Sequence, residues 1–328
     1  MSLPEPILVV GGWGYRNLGD EAILAGLLRW LGPGRALTVV SRAPAETTAL
    51  HHVPSVPIGR ALAELARHRT LLIGGGGLFG RDMGVIGRLL PAFALLAAGG
   101  GRTIAIHGVG VDPDLPAVTR RLLAAVASQA VELSVRDVAS QARLGVELQR
   151  VAVRPDLSSL ALTARPARGR AFLRAAGIDP ARPIVGLALT ELNASLLPAL
   201  VDEVIEAIDR LPTVQFCFIP MSQHPHRAAH NDLHLGRMLQ RQRPRLVVLE
   251  GLLDPSLALA VFGCLRAVVG MRYHSLLFAE RGKIPIVAVP YAPKCDAWLA
   301  EHKVEPMGSG RGAMAERLGE ILAPRIAA

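Results

Sequence analysis

Short runs of aliphatic residues alternate with longer amphipathic segments from one end of the chain to the other. The runs Ile7 to Gly11, Ala36 to Ser41, Leu71 to Ile73, Thr103 to His107 and Val131 to Val135 predict strands buried on both faces. Between them the pattern predicts helices: Glu21 to Leu31, capped by Asp20, then Ala45 to His51, Gly59 to His68, Val85 to Ala98, Leu115 to Ser128 and Val138 to Leu144. A stretch rich in Pro, Gly and Arg, Leu157 to Arg182, interrupts the alternation. It then restarts with strand Ile184 to Leu189, helix Leu196 to Leu211 and strand Val214 to Ile219. Helix Ala228 to Gln240 and strand Leu246 to Leu249 follow, then strand Arg266 to Gly270, helix Tyr273 to Arg281 and strand Ile284 to Val289. The last predicted helix is Ala313 to Leu322. Repeated β-α alternation implies parallel sheets covered on both faces. The expected fold class is therefore α/β, two Rossmann-like domains with parallel sheets facing a cleft. The expected division is an N-terminal domain over 1–160, a linker over 161–182, a C-terminal domain over 183–305 and a helical segment over 306–328.

Composition narrows the function classes. The cores must be built from Ala, Leu, Val and Ile, because 51% of residues are hydrophobic and only 4% aromatic. Cys217, Cys264 and Cys295 are far apart and odd in number, so no disulfide framework is expected. Cys217 and Cys264, in apolar segments, predict buried thiols, and Cys295, next to Lys294, either packs or faces a ligand site. The segment Met-Ser-Leu-Pro-Glu-Pro lacks the basic region of a signal peptide. The longest apolar run, Leu89 to Ala98, is far shorter than the roughly 20 residues that cross a bilayer. A cytoplasmic protein is expected, with peripheral contact at the inner membrane face left open. A net charge of +9 favours anionic partners such as a phosphorylated metabolite or an acidic lipid surface. Nucleic acid is not expected, for want of a basic run, an aromatic platform or a known motif. The sequence leaves the oligomeric state undetermined.

The unusual residues fall where parallel strands end, which is where such sheets bind ligands. After the first strand comes Gly11-Gly12-Trp13-Gly14-Tyr15-Arg16-Asn17-Leu18-Gly19-Asp20, a loop opening a helix, with Asn17 turned toward the ligand side. After the Leu71 to Ile73 strand stands Gly74-Gly75-Gly76-Gly77, expected to be a loop whose amides lie under a ligand. His107 ends another strand, as a polar group satisfied locally or as a catalyst. Arg136, in Ser134-Val135-Arg136-Asp137, either forks onto an anion or pairs with Asp137 or Asp156. His224, His226, His230 and His234 lie close together, the last three at the spacing of one helical face. That face suits a metal, a sugar or phosphate, or solvent, and no cysteine accompanies it to favour zinc.

The most informative spacing is later. Arg272 and His274 leave the carboxyl end of one predicted strand, and Lys294 leaves the end of the next. The chain has three lysines, Lys283, Lys294 and Lys303, so a lysine at this place carries weight. Guanidinium, imidazole and ammonium groups around helix amino termini make a site for a small, highly charged anion.

Gly-Trp-Gly-Tyr-Arg-Asn-Leu-Gly-Asp-Glu-Ala-Ile-Leu, Ile-Gly-Gly-Gly-Gly-Leu-Phe, Ser-Val-Arg-Asp, Met-Arg-Tyr-His-Ser-Leu-Leu-Phe-Ala and Tyr-Ala-Pro-Lys follow one another over roughly residues 7 to 300. In that order they resemble the polysaccharide pyruvyl transferase family, most closely its CsaB-like members. The resemblance implies a glycosyltransferase-B-like fold. It also implies transfer of the pyruvyl group of phosphoenolpyruvate to a sugar, by default N-acetylmannosamine, of a lipid-linked cell-wall polysaccharide precursor. A pyruvate ketal and free phosphate would result, with no cofactor and no metal. By the same resemblance His274 is the general acid, Arg136 and Lys294 hold phosphate and carboxylate, and Arg272 assists. Asn17 and Asp20 would meet the acceptor or orient closure, and Gly75, Gly76 and Gly77 would line the substrate. Relatives often continue the glycine run with Gln-Asp, Thr-Ser and two tyrosines; this chain has Gly80-Arg81-Asp82-Met83-Gly84. Their later Gly-x-Gly segment ends in Gly-Pro, whereas here it ends in Asp112-Pro113. Both departures concern the acceptor. Two other readings stay open: a nucleotide-sugar transferase or epimerase using Glu250 or Asp254 for a ribose, and a non-catalytic phosphometabolite-binding protein.

Overall fold

The computed structural model describes residues 3–80, 84–308 and 310–323, with backbone only at 84–86. The chain forms two compact units, Met1–Tyr15 with Asp20–Leu162, and Arg16–Gly19 with Thr163–Ala328. Arg81, Asp82 and Met83, part of the departure expected after the glycine run, lie outside the described residues.

In the first unit the order is β1 (Ile7–Val10), α1 (Leu18–Leu31), β2 (Leu37–Ser41), α2 (Pro44–His51), β3 (Ser55–Pro57), α3 (Ala61–Leu65) and β4 (Thr70–Phe79). Then come α4 (Gly84–Gly99), β5 (Thr103–Val111), α5 (Ala117–Gln129), β6 (Glu132–Val135), α6 (Val138–Arg143) and β7 (Ala152–Val153). The strands make one seven-stranded sheet in the order β3-β2-β1-β4-β5-β6-β7. All its pairings are parallel. Successive residues of β1 serve opposite faces, as the strand period of two requires. Leu8 and Val10 join Ile73, Ile106 and Val135 in one core, while Ile7 and Val9 join Leu72 and the α1 residues Ile23, Leu24 and Leu27 in the other.

The glycine run is strand, not loop. β4 continues through Gly74–Gly77 to Phe79, pairing Gly74 with His107 and Gly76 with Val109 before the register shifts. Gly75 and Gly76 have φ of 48° and 79°, which glycine adopts without steric cost. The nearer reason is packing. A Cβ on Gly74 would stand 2.3 Å from Leu27 Cδ2, and one on Gly75 2.0 Å from Ile23 Cγ2. Helix α1 rests on the bare backbone of β4.

In the second unit the order is α7 (Pro166–Ala175), β8 (Ile184–Ala188), α8 (Leu197–Arg210), β9 (Gln215–Phe218), α9 (Leu233–Gln242), β10 (Val247–Val248) and α10 (Pro255–Phe262). It ends with β11 (Ala267–Gly270), α11 (Tyr273–Arg281), β12 (Ile286–Ala288), α12 (Pro293–His302) and α13 (Ala313–Leu322). The five-stranded sheet runs β10-β9-β8-β11-β12, again parallel throughout. The stretch expected as a linker holds α7, whose Gly169 lies so close to α10 that a Cβ would come within 2.5 Å of the Ala260 carbonyl oxygen. Helix α13 packs in this unit's main core through Met314, Ala315 and Leu318. Among the described residues no helix is long and apolar enough to cross a membrane.

Candidate active site

The β11-α11-β12-α12 passage of the second unit has the geometry the spacing predicts. β11 and β12 are neighbours in register, Gly270 opposite Ala288. Two residues after β11, Arg272 becomes the N-cap of α11, and its carbonyl accepts the Ser275 N–H at 2.8 Å. His274 is therefore the second residue of α11, half-buried, with the Tyr273 ring set edge-on to it. Lys294, also half-buried, is the second residue of α12. Imidazole and ammonium thus stand on the first turns of two helices that leave adjacent strands. Free N–H groups and the helix dipole favour negative charge there. Cys295 is a packing residue: buried, with its Sγ 3.5 Å from the Met271 carbonyl and its thiol pushed up by burial.

Arg272 is engaged inside the protein. Its Nε and Nη2 donate to both carboxylate oxygens of Asp232 at 2.6–3.2 Å, and both residues are buried. Asp232 also accepts the Ser222 N–H at 2.9 Å, and its own N–H donates to the Ser222 carbonyl at 2.8 Å. The 221–223 segment in turn holds residues 16–19. Leu18 N–H donates to Met221 O and Gln223 N–H to Arg16 O, both at 2.9 Å, and Asn17 bridges Ser222. The Asn17 side-chain oxygen accepts the Gly19 N–H at 3.0 Å. Helix α1 therefore starts at Leu18 with Asn17 closing it, and the expected cap, Asp20, lies within the first turn. Nothing in the bare sequence singled out Asp232, because its partner is forty residues away.

The histidine cluster is not one helical face. His230 ends a 3-10 turn at Ala228–His230, His234 belongs to α9, and Asn231 with Asp232 breaks the two apart. His224 Nδ1 accepts the N–H groups of His226 and Arg227 at 3.1 Å each. Among the described residues no cluster of His, Cys, Asp or Glu could hold a metal ion. Glu250 and Asp254, the candidate ribose carboxylates, have structural partners. Glu250 takes a two-point salt bridge from Arg237, and Asp254 caps α10 by accepting from Ser256 and Leu257 N–H.

In the first unit Arg136 leaves β6 with its N–H donating to the Val109 carbonyl at 3.1 Å. Its Nε donates to Asp137 Oδ2 at 3.0 Å. Asp137 is also the N-cap of α6. Burial works to raise that carboxyl's pKa, yet hydrogen bonds from Ser140 and the charge of Arg136 together hold it below the ordinary value. A Cβ on Gly77 would lie 3.9 Å from Arg136 Nη1, and Gly76 lies near Asp20 in the same way, at 3.5 Å from its Oδ1. His107 is a buried structural group. It contacts Glu132 and Ser134 at 3.2 and 3.1 Å and stacks on Trp30 at 3.8 Å. Sequence reading missed the buried Glu21, whose carboxylate accepts the Gly14 N–H at 2.9 Å and meets His51 Nε2 at 2.8 Å. That carboxylate pins the first glycine loop.

A family model described as polysaccharide pyruvyl transferase matches residues 17–293. No curated protein matches the chain. Solved structures share the fold at low identity. An S. aureus MnaA–UDP structure is 11% identical, covering 97% of this chain and 88% of its own, with a TM-score of 0.68. UDP-GlcNAc 2-epimerase from Neisseria meningitidis, bound to UDP-GlcNAc, is 12% identical over 96% and 90%, at a TM-score of 0.64. Anabaena Alr3699/HepE in complex with UDP-glucose is 14% identical over 96% and 88%, at 0.60. The fold class is α/β with two parallel, Rossmann-like sheets, similar to glycosyltransferase-B proteins.

Proposed function

We infer that this chain, which belongs to the polysaccharide pyruvyl transferase family, moves the pyruvyl group of phosphoenolpyruvate onto two hydroxyls of a sugar. The acceptor in this reading is N-acetylmannosamine or a related sugar of a lipid-linked cell-wall polysaccharide precursor, as in CsaB-like enzymes. The observation that supports it is the placement of His274 and Lys294 on the first turns of α11 and α12, at the ends of paired strands. Phosphoenolpyruvate carries nearly three negative charges on a small frame. The Lys294 ammonium and the N–H groups of two helix starts suit those charges.

The reaction needs a proton on the methylene carbon. In this reading His274 gives it, a step worth about 10² to 10⁴-fold in rate. One acceptor hydroxyl adds to C2, phosphate departs, and the second hydroxyl closes the ketal. The two hydroxyls release two protons: one restores His274 and the other leaves with phosphate. No redox partner is required. For Arg136 the Ser-Val-Arg-Asp pattern carries the expectation that turnover depends on its guanidinium.

Phosphate release from phosphoenolpyruvate, with a panel of lipid-linked or aryl N-acetylhexosamines, tests the reading. The wild type should release phosphate only with an acceptor, and in D₂O the product methyl should carry deuterium. His274→Ala, Lys294→Ala and Arg136→Ala should fold and lose most turnover. Full activity in the histidine variant would remove it as the acid. Thermal stabilisation by UDP, GDP or CMP sugars and not by phosphoenolpyruvate would favour a nucleotide-sugar enzyme instead.

A further inference from the structure

His274 is held from a part of the chain that sequence reading assigned to a substrate loop. A Cβ built on Gly19 would stand 2.0 Å from His274 Nδ1, 2.3 Å from Cγ and 2.6 Å from Cε1. No real Cβ tolerates such contacts, so the imidazole edge lies directly on the Gly19 backbone. Gly19 has no room to drift. Its N–H is fixed by Asn17 Oδ1, and the flanking residues are tied by Leu18 N–H to Met221 O and Gln223 N–H to Arg16 O. Ser222, between those anchors, is locked to Asp232, and Asp232 to Arg272. Arg272 caps the helix that carries His274. The contacts close a ring that starts and ends at His274. Its members Leu18, Gly19, Ser222, Gln223, Asp232 and Arg272 are all buried.

We propose that Gly19 is a positioning residue for His274, the segment 16–19 serving as the wall that sets the rotamer of the imidazole. The inference rests on the reading of His274 as the proton donor. A group that must reach one carbon atom needs its orientation fixed by its neighbours, and misplacement by about 1 Å can cost roughly 10²-fold. Gly19 is unlike a turn glycine. Its φ is not positive, and it lies in the first turn of α1, where alanine is the better helix former. Packing against the ring is the reason a side chain is excluded.

Gly19→Ala is therefore a clean probe. Wild type, Gly19→Ala, His274→Ala and the double variant are assayed for phosphate release from phosphoenolpyruvate with the acceptor panel. The environment of the His274 ring is followed by its Cε1–H chemical shift at fixed pH. Gly19→Ala should lower kcat about 10 to 10²-fold, leave KM for phosphoenolpyruvate near wild type and, because the site is overpacked, lower the melting temperature without unfolding the protein. The Cε1–H chemical shift should move. The double variant should be no slower than His274→Ala, because Gly19 acts through that ring. Wild-type turnover in Gly19→Ala, or an equal further loss when it is added to His274→Ala, overturns the inference while leaving the reaction in place. An active His274→Ala overturns the acid assignment and the inference with it. If the wild type releases no phosphate, the reaction fails, and the ring signal decides the positional claim alone: an unchanged Cε1–H shift in Gly19→Ala overturns it.

Discussion

The guanidinium of Arg136 lies against the backbone of Gly110, where a Cβ would come within 2.6 Å of Cζ, 2.7 Å of Nε and 2.8 Å of Nη2. The glycine is thus a seat for the arginine, as Gly19 is for His274. Gly110 does not have a positive φ, so alanine is compatible with the strand and conflicts with the guanidinium. Gly110→Ala should push Arg136 from its place and break the Nε bond to Asp137. Misplacement of a binding group by about 1 Å can cost roughly 10²-fold, so turnover should fall on that scale. Phosphate release by Gly110→Ala beside Arg136→Ala measures it. Full activity in the glycine variant would show that the seat is not needed.

The buried Arg272–Asp232 pair makes a different prediction, about stability. Removing one partner leaves an uncompensated charge in the interior, which costs about 3–5 kcal/mol. Asp232→Ala and Arg272→Met should each be destabilised on that scale in urea unfolding. Arg272→Met combined with Asp232→Ala should be clearly less destabilised than the two single effects added, because no charge is then stranded. Strict additivity would mean that the two residues stabilise the protein separately.

The parallel β-α-β skeleton was legible because short aliphatic strands and amphipathic helices differ in length and period, and the passage from β11 to α12 came out with His274 and Lys294 in place. Three readings erred for physical reasons. The run Gly74–Gly77 looked like a loop because glycine usually breaks strands. Here α1 presses so closely on β4 that glycine is what lets the strand continue. Asp20 looked like a cap because it precedes a helical pattern, yet Asn17 closes the helix from farther back. The stretch 161–182 looked like a linker because its arginines and prolines hide a short helix packed on α10 through Gly169. The roles of Asp232, Gly19 and Gly110 were invisible because they are contacts with side chains far along the chain. No local pattern encodes such contacts.

Glu203 caps a helix that is distant in sequence. From α8 its two carboxylate oxygens accept the N–H groups of Gly312 at 2.7 Å and Met314 at 2.9 Å, at the start of α13. A buried carboxylate there satisfies two otherwise orphaned donors and complements the helix dipole. Glu203→Ala should destabilise the protein by roughly 1–3 kcal/mol and speed amide exchange through α13 before the rest of the second unit. Glu203→Gln, which keeps one acceptor, should cost less. Equal effects of the two substitutions would mean that the carboxylate's charge and second oxygen contribute nothing.

His107 gives the pH prediction. Burial holds its pKa below the ordinary value of about 6.5, although the neighbouring Glu132 pulls the other way and Arg154 works with burial. Above neutrality the imidazole is uncharged in both folded and unfolded chains and no proton linkage arises. As pH falls through the ordinary value, the unfolded chain takes up a proton that the folded one resists, so stability declines until pH reaches the lowered folded value. The lowered Asp137 pKa acts in the same direction, but in the carboxylate range. The interval from about pH 7 to pH 5 therefore separates the histidine's contribution from the aspartate's. His107→Gln should melt at a lower temperature at neutral pH, having lost the stacking on Trp30. Its melting temperature should nevertheless fall less steeply toward pH 5 than that of the wild type. Parallel slopes for the two proteins would place the acid sensitivity elsewhere.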